Sequence, residues 1–383
     1  MTAPIVIIGS GFAAYQLVKT LRKQDSNQPI TVLCADAGHD YNKPELSHVI
    51  SRSQSASELI KQHADEFAQQ QQITLHSEHR VSEIDRASQR VCANGHWFDY
   101  SKLVLATGAS AMVPPMAGDA VAQVLTLNSL QQYQQAEAKL QQAKRVLVLG
   151  AGLIGTELAM DIASSNRQVV LVDLAKRLLP ALLPPFVSSQ LQQRMAQSEQ
   201  GQIDFALGTS VTAVNQQPNG LQVQLANGAS YQVDALISAI GLRPNTQLAQ
   251  QAGLHINRGI VVDQQLRSSD ANVFAIGDCA EMNDKVQPFL QPALLGANAL
   301  AKTLLGQASN VMQPTMLVKV KTPWLPITLA GTTTDEHSQW QIELDGSGLV
   351  AKAFNGEQLV GAIATEQRQH ALLPLLRQIS QPL

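Results

Sequence analysis

The sequence predicts an α/β protein with two Rossmann-like dinucleotide-binding domains, one inserted in the other, and a small α+β domain at the C-terminus. Two glycine-rich turns carry most of that expectation: Gly9, Gly11 and Ala14 follow the apolar run 5–8, and Gly150, Gly152 and Gly155 follow the run 146–149. An acid stands near the end of the next strand-like run in both places, Asp36 after 30–34 and Asp173 after 169–172. A buried-looking run, 103–106, then delivers Thr107 and Gly108 to a strand end.

The chemistry behind the pattern is steric and electrostatic. A strand buried on both faces turns sharply into a helix whose first N–H groups face a pyrophosphate, and a Cβ at the first two glycines would hold the phosphates away. The third small residue lets helix and strand pack closely. The acid at the strand end accepts hydrogen bonds from ribose hydroxyls. The alternative for each acid is a solvated strand end, and one turn alone is weak support. Two turns, each with its strand, helix and acid, imply two dinucleotides on one chain.

Organisation follows from the same landmarks. Strand, turn, helix and strand occupy 5–35, and a polar helix is expected over 56–71. Short alternating segments at 81–84, 90–91 and 97–100 predict an antiparallel meander. Pro114 and Pro115 mark a boundary, and a Gln-rich helix at 130–142 leads into the second turn. Gly241 closes the insertion after the strand 235–240. The expected domains are therefore 1–115 with 240–313, an inserted 116–239, and 314–383. Strands are expected at 259–263 and 273–276, a helix at 292–305, then strands at 316–320, 340–344 and 349–354 and a final helix.

Composition bounds the class. An apolar share of 45%, a charged share of 15% and a net charge of −3 describe well-filled cores and argue against a nucleic-acid binder. No apolar run is long enough to span a bilayer, and the first strand begins almost at once, so no signal peptide and a cytoplasmic location are expected. Cys34, Cys92 and Cys279 are isolated, without C-x-x-C or metal-ligand spacing, so no metal site and no redox dithiol are expected. Cys279 beside Asp278 reads as a small core residue.

Read together, GSGFAAYQLVKTLRKQD at the start, YNKPELSHVIS from Tyr41, LATGASAMVPP from Leu103, GAGLIGTELAMD from Gly150, GLRPNT from Gly241, INRGIVVD from Ile256, FAIGDCAE from Phe274 and LVKVKTP from Leu317 span the chain nearly end to end. With these motifs the chain resembles the FAD-dependent pyridine-nucleotide disulfide oxidoreductase superfamily, in its dithiol-free branch. Within that branch it looks like the rubredoxin reductases, most closely those that serve flavorubredoxin in bacterial nitric oxide detoxification.

The resemblance implies FAD in the first domain and NAD in the inserted one. Gly9, Gly11 and Ala14 match the FAD pyrophosphate turn, Asp36 the ribose acid, and Lys43 a basic position near the flavin. Thr107 and Gly108 belong to the same site. Asp278 matches the aspartate on the ribityl or phosphate portion, at a strand end followed by a helix. Gly150, Gly152, Gly155, Asp173 and Gly241 fall to the NAD site, and Glu157 matches a glutamate near the nicotinamide, with a helix-surface acid as the alternative. No residue is assigned a certain catalytic role. Relatives that reduce ferredoxins commonly carry a lysine directly after the L-S pair, where this chain has His48, so Lys319 and Lys321 are candidates to compensate, with a solvated strand face as the other reading.

The implied activity passes electrons from NADH through FAD to a rubredoxin, or to the rubredoxin domain of a flavodiiron protein. Asp173 favours the free 2′-hydroxyl of NADH over the 2′-phosphate of NADPH, with Arg177 close enough in sequence to blunt that preference. The stretch 285–334 holds Lys285, Lys302, Lys319 and Lys321 and no acid, which would steer an acidic partner if the charges cluster. Two other readings remain. An NADH oxidase or peroxidase needs a redox cysteine around 46–48, where Ser47 stands; a nicotinamide-sensing flavoprotein would use the same two sites without turnover.

Overall fold

The computed structural model describes residues 3–199 and 201–379. The chain divides into two compact units: the first comprises residues up to Lys43, Ala56–Ser110 and Leu242–Gln313; the second comprises Pro44–Ser55, Ala111–Gly241 and the chain from Pro314 onward.

In the first unit the run IVII forms the strand Ile5–Ile8, buried along its whole length. Four β-branched residues restrict χ1 and fill both faces of a pleated sheet, which suits an interior parallel strand. It lies in the middle of a five-stranded sheet ordered Val273–Ala275, Lys102–Leu105, Ile5–Ile8, Ile30–Leu33, Thr74–His76, with parallel pairing throughout. Helix α1, Phe12–Gln24, buries Ala14, Tyr15, Leu17, Val18 and Leu21 and packs against the helix Leu290–Leu304. The strands Val81–Asp85, Arg90–Ala93 and His96–Asp99 form the antiparallel meander.

One element departs from expectation. The continuous helix at 56–71 is instead a 3-10 turn, Ser57–Leu59, a short strand, Ile60–Gln62, and helix α2 over Ala64–Gln71 only. The strand pairs with Asp40–Tyr41, so tertiary pairing overrides the helical preference of the polar residues before His63. Tyr15 then stacks on Phe67 of α2 with ring centroids 4.1 Å apart.

The second unit holds a four-stranded parallel sheet ordered Gln202–Leu207, Gln168–Asp173, Arg145–Leu149, Ala235–Ser238. Helix α3, Leu130–Gln142, is capped by the Ser129 side chain, which accepts from Gln132 N–H. Helix α4, Leu153–Ser164, is buried at every residue from Gly155 to Ala163, as a helix apolar around most of its circumference must be. The chain from Pro314 builds a five-stranded antiparallel sheet ordered Leu317–Val320, Ile327–Gly331, Gln358–Thr365, Gly348–Asn355, Gln339–Asp345. Where a final helix is expected, the described residues form two 3-10 helices, Glu366–Leu372 and Leu375–Arg377. Among the described residues no helix is long and apolar enough to cross a membrane.

Candidate dinucleotide sites

The glycines of the first turn have two different duties. Gly9 has φ +123°, and a Cβ there would lie 2.3 Å from the carbonyl oxygen of Ala106, so the fold itself excludes a side chain. Gly11 has φ −74° and ψ 177°, a backbone any residue adopts, and a Cβ there meets nothing within 4 Å. That open space lies at the N-cap of α1, which has no side-chain cap and no acid in its first turn. A helix end left this way presents N–H groups to an anion. The cradle fits a pyrophosphate.

Around that turn the first unit assembles the other expected residues. Asp36 Oδ1 accepts from Ser10 Oγ at 2.7 Å and from Gly38 N–H at 3.0 Å, so the acid is tied to the turn rather than merely solvated. Thr107 and Gly108 are held by a residue that sequence reasoning passed over: Asn245 Nδ2 donates to Thr107 O, Asn245 N–H donates to Gly108 O, and Thr107 Oγ1 donates to Asn245 O. The N of GLRPNT was the available signal. Asp278 lies in a 3-10 turn, Gly277–Cys279, beside the start of α1, and pairs with Lys43 Nζ at 3.6 Å. The helix that follows Asp278 is Leu290–Leu304, close to the expected 292–305, and it comes after two short strands, Ala280–Met282 and Lys285–Val286, the first of which pairs with Ile260–Val262.

The second turn repeats the geometry with a tighter crossing. A Cβ on Gly150, at φ +112°, would lie 2.5 Å from Ala239 O, and one on Gly155 would lie 1.8 Å from Gly150 O. Ala14 stands at the equivalent place in the first turn, buried and accommodated. Gly152, the N-cap of α4, again has open space and no side-chain cap. Asp173 Oδ2 accepts from Ala151 N–H at 2.5 Å and Oδ1 from Ala175 N–H at 2.7 Å, and each carboxylate oxygen keeps a lone pair for a further donor. Arg177 Nε is buried without a hydrogen-bond partner among the described residues. Gly241, at φ +118°, accepts from Met112 N–H.

The second unit also gathers a buried acidic cluster on α4. Glu157 is 6% exposed, which sets aside the helix-surface alternative. Its Oε2 lies 3.1 Å from Ser47 Oγ, and its Oε1 accepts from the backbone N–H of Lys321 at 3.0 Å. Lys321 Nζ reaches Pro44 O at 3.3 Å. Thus Lys321 joins the cluster, whereas Lys319 is exposed on the edge strand with no partner among the described residues. His48 Nε2 is buried and has no hydrogen-bond partner among the described residues. Burial lowers its pKa below the ordinary imidazole value, helped by the Lys321 and Arg52 charges and opposed by Glu157 and Asp161.

Two of the cysteines lie against the first site as core thiols: Cys34 Sγ is 3.6 Å from Asp36 O. Cys279 is fully buried, with Sγ near Leu105 O and Ile276 O, and burial pushes its thiol up. Burial likewise pushes Cys34 up to about 12, so neither is a ready thiolate. Among the described residues no group of side chains is arranged to hold a metal ion.

Comparison with known proteins places this geometry in a family. Residues 3–307 match the pyridine nucleotide-disulphide oxidoreductase family and residues 310–379 match a rubredoxin binding C-terminal domain. A nitric oxide reductase FlRd-NAD(+) reductase of Aliivibrio fischeri is 48% identical over 99% of this chain and 99% of its own length. One of the same description from Escherichia coli O157:H7 is 47% identical over 98% and 99%. Among solved structures, a ferredoxin reductase from Rhodopseudomonas palustris superposes with a TM-score of 0.88 at 26% identity, covering 99% of this chain and 96% of that one.

Proposed function

Because the chain belongs to the pyridine nucleotide-disulphide oxidoreductase family, we propose that it carries electrons from NADH through FAD to a rubredoxin-type iron centre, in particular the rubredoxin domain of flavorubredoxin, a flavodiiron protein of nitric oxide detoxification. The observation that carries the reading is the joint match of the chain, at 48% identity over nearly its whole length, to a flavorubredoxin reductase and of its residues 310–379 to a rubredoxin-binding domain. FAD falls to the domain 1–115 with 240–313, NADH to 116–239, and the protein partner to 314–383.

FAD, held by the residues of the first site, would supply the conversion from two-electron hydride chemistry to the one-electron transfers that an iron acceptor requires. The chain's residues bind and orient. Gly11 leaves room for the FAD pyrophosphate at α1, with Asp36 toward the ribose and Lys43, Thr107, Gly108 and Asp278 completing the site. Lys43 near the flavin is a cation placed to stabilise developing negative charge. Gly152 does for the NADH pyrophosphate what Gly11 does for that of FAD, and Asp173 offers acceptors to the ribose hydroxyls while repelling a 2′-phosphate. Glu157 orients the nicotinamide end. No side chain must move a proton for the hydride step.

Ser47 argues against the oxidase or peroxidase alternative: its hydroxyl is engaged with Glu157 and Pro44, where that chemistry would need a thiolate. The protein acts in the cytoplasm on this reading. Stopped-flow mixing with NADH should bleach the flavin, and added oxidised rubredoxin should restore its colour within the same turnover. Flavin that NADH does not bleach, or that rubredoxin does not reoxidise faster than oxygen does, refutes the proposal.

A further inference from the structure

The buried carboxylate of Asp161 has no part in the sites above. It lies one turn beyond Glu157 on α4 and is 5% exposed. Its three bonds all go to one distant segment. Oδ2 accepts from Ile50 N–H at 2.9 Å and Ser51 N–H at 3.2 Å, and Oδ1 accepts from the Ser51 hydroxyl. A buried carboxylate is costly unless charge-assisted hydrogen bonds compensate it. Two of the three bonds come from backbone N–H groups, so retaining the acid fixes a piece of main chain as well as the Ser51 hydroxyl.

What that main chain carries gives the clamp its consequence. The segment holds Ser47, whose hydroxyl meets Glu157, and His48, whose buried Nε2 has no partner among the described residues. A second tie, Tyr133 Oη to Gln54 O at 2.6 Å, lies beyond the stretch from Pro44 to Ser51, whose far end is held to α4 by Asp161 and whose middle is held by Glu157. Two acids spaced i, i+4 share a helix face, so Glu157 and Asp161 grip the same segment at two points.

We propose that Asp161 is a positioning residue for the NADH half-reaction, clamping Ile50 and Ser51 to α4 so that Ser47 and His48 are held against Glu157 where the nicotinamide is oriented. The inference rests on the proposed function. Removing the clamp leaves the FAD glycine turn, Asp36 and Asp278 untouched in sequence and bonding, so it misplaces the nicotinamide end without emptying the flavin site. Displacement of about 1 Å at a reacting centre costs about 10²-fold in rate.

The test uses the FAD-loaded full chain. In Asp161→Ala the limiting rate of flavin bleaching at saturating NADH should fall about 10²-fold, and amide hydrogen exchange at residues 44–51 should accelerate while exchange in α1 does not. Asp161→Asn keeps an acceptor for the two N–H groups, and the Ser51 hydroxyl can turn to accept, so it should recover most of the rate. Ser51→Ala, which removes one bond only, should fall between. If Asp161→Ala lowers the melting temperature yet bleaches at the unmodified limiting rate, the acid is a structural anchor and the proposal is wrong. Should the alanine variant fail to fold, unmodified rates and exchange in Ser51→Ala overturn it equally. Failure of NADH to bleach the unmodified protein would instead refute the functional reading, and this inference with it.

Discussion

Gly11→Val separates what the first glycine turn does for the fold from what it does for the cofactor. The backbone at Gly11 already has φ −74° and ψ 177°, which valine adopts readily, and a Cβ there meets nothing within 4 Å. The cofactor-free protein should therefore lose only the preference for glycine over a β-branched residue at a helix N-cap, about 0.5–1 kcal/mol. FAD binding should suffer far more. If the side chain displaces the pyrophosphate from two helix N–H groups, charge-assisted bonds of about 1.5–3 kcal/mol each are lost. Their sum, about 3–6 kcal/mol, weakens binding about 10²- to 10⁴-fold.

The assay is a flavin-fluorescence titration of the apoprotein beside its thermal melt. The variant should melt near the unmodified apoprotein and be isolated nearly colourless. Gly9→Ala is the contrasting control: at φ +123° and 2.3 Å from Ala106 O it should impair folding itself. A Gly11→Val protein that binds FAD with unmodified affinity would show that the open space at α1 is not the pyrophosphate cradle.

Three further outcomes follow from named contacts. Asp173→Ala should weaken NADH and narrow its advantage over NADPH, because it removes both the ribose acceptor and the carboxylate that fixes Ala151 and Ala175 N–H; an unchanged cofactor preference in flavin-bleaching kinetics counts against Asp173 as the ribose acid. Desolvation of Asp234 is outweighed by its bonds to Arg145 and to the N–H groups of Arg145 and Lys144, which hold its pKa below the usual carboxylate value. The stability this confers is present above the unfolded pKa and lost as pH falls through the folded one, so Asp234→Asn should cost about 1–2 kcal/mol at pH 7 and nothing at pH 2 in urea melts. Lys319→Gln should slow reoxidation by an acidic rubredoxin and flatten its salt dependence, since exposed charges are screened within about 8–10 Å at ordinary ionic strength, whereas Lys321→Gln, which frees Pro44 O, should also disturb bleaching by NADH; identical behaviour of the two variants would remove the distinction.

The parallel sheets were legible because their signals are local. The runs IVII and VLVL are apolar without alternation, the first wholly β-branched, and the turns after them announce themselves by glycine, so strand, turn and helix can be placed from the local sequence. The 56–71 segment was illegible because its strand exists only through pairing with Asp40–Tyr41, a partner that polar composition does not indicate. The closing 3-10 turns escaped for a related reason. Leu372 and Ile379 are buried in the core of the C-terminal sheet, so packing decides the local conformation more than the helical preference of the residues does.

Site residues divide along the same line. Glycines and strand-end acids are chosen by backbone geometry within one βαβ unit, so spacing reveals them. Asn245 and Asp161 act on segments 138 and about 110 residues away, and no spacing rule connects them. Both do the same physical work: a polar side chain saturates the backbone N–H or C=O groups of an irregular segment that has no sheet to join, and thereby gives a loop the definition of a regular element. The Asn245 side chain does so for Thr107, with its own backbone N–H serving Gly108 O, and Asp161 does so for Ile50 and Ser51. On the proposed assignment the glycine turns make room for two cofactors, and these two residues set the register of the loops beside them. A functional role for such a residue therefore shows first as loss of order in its loop and of rate in the step that loop serves, with the cofactor still bound.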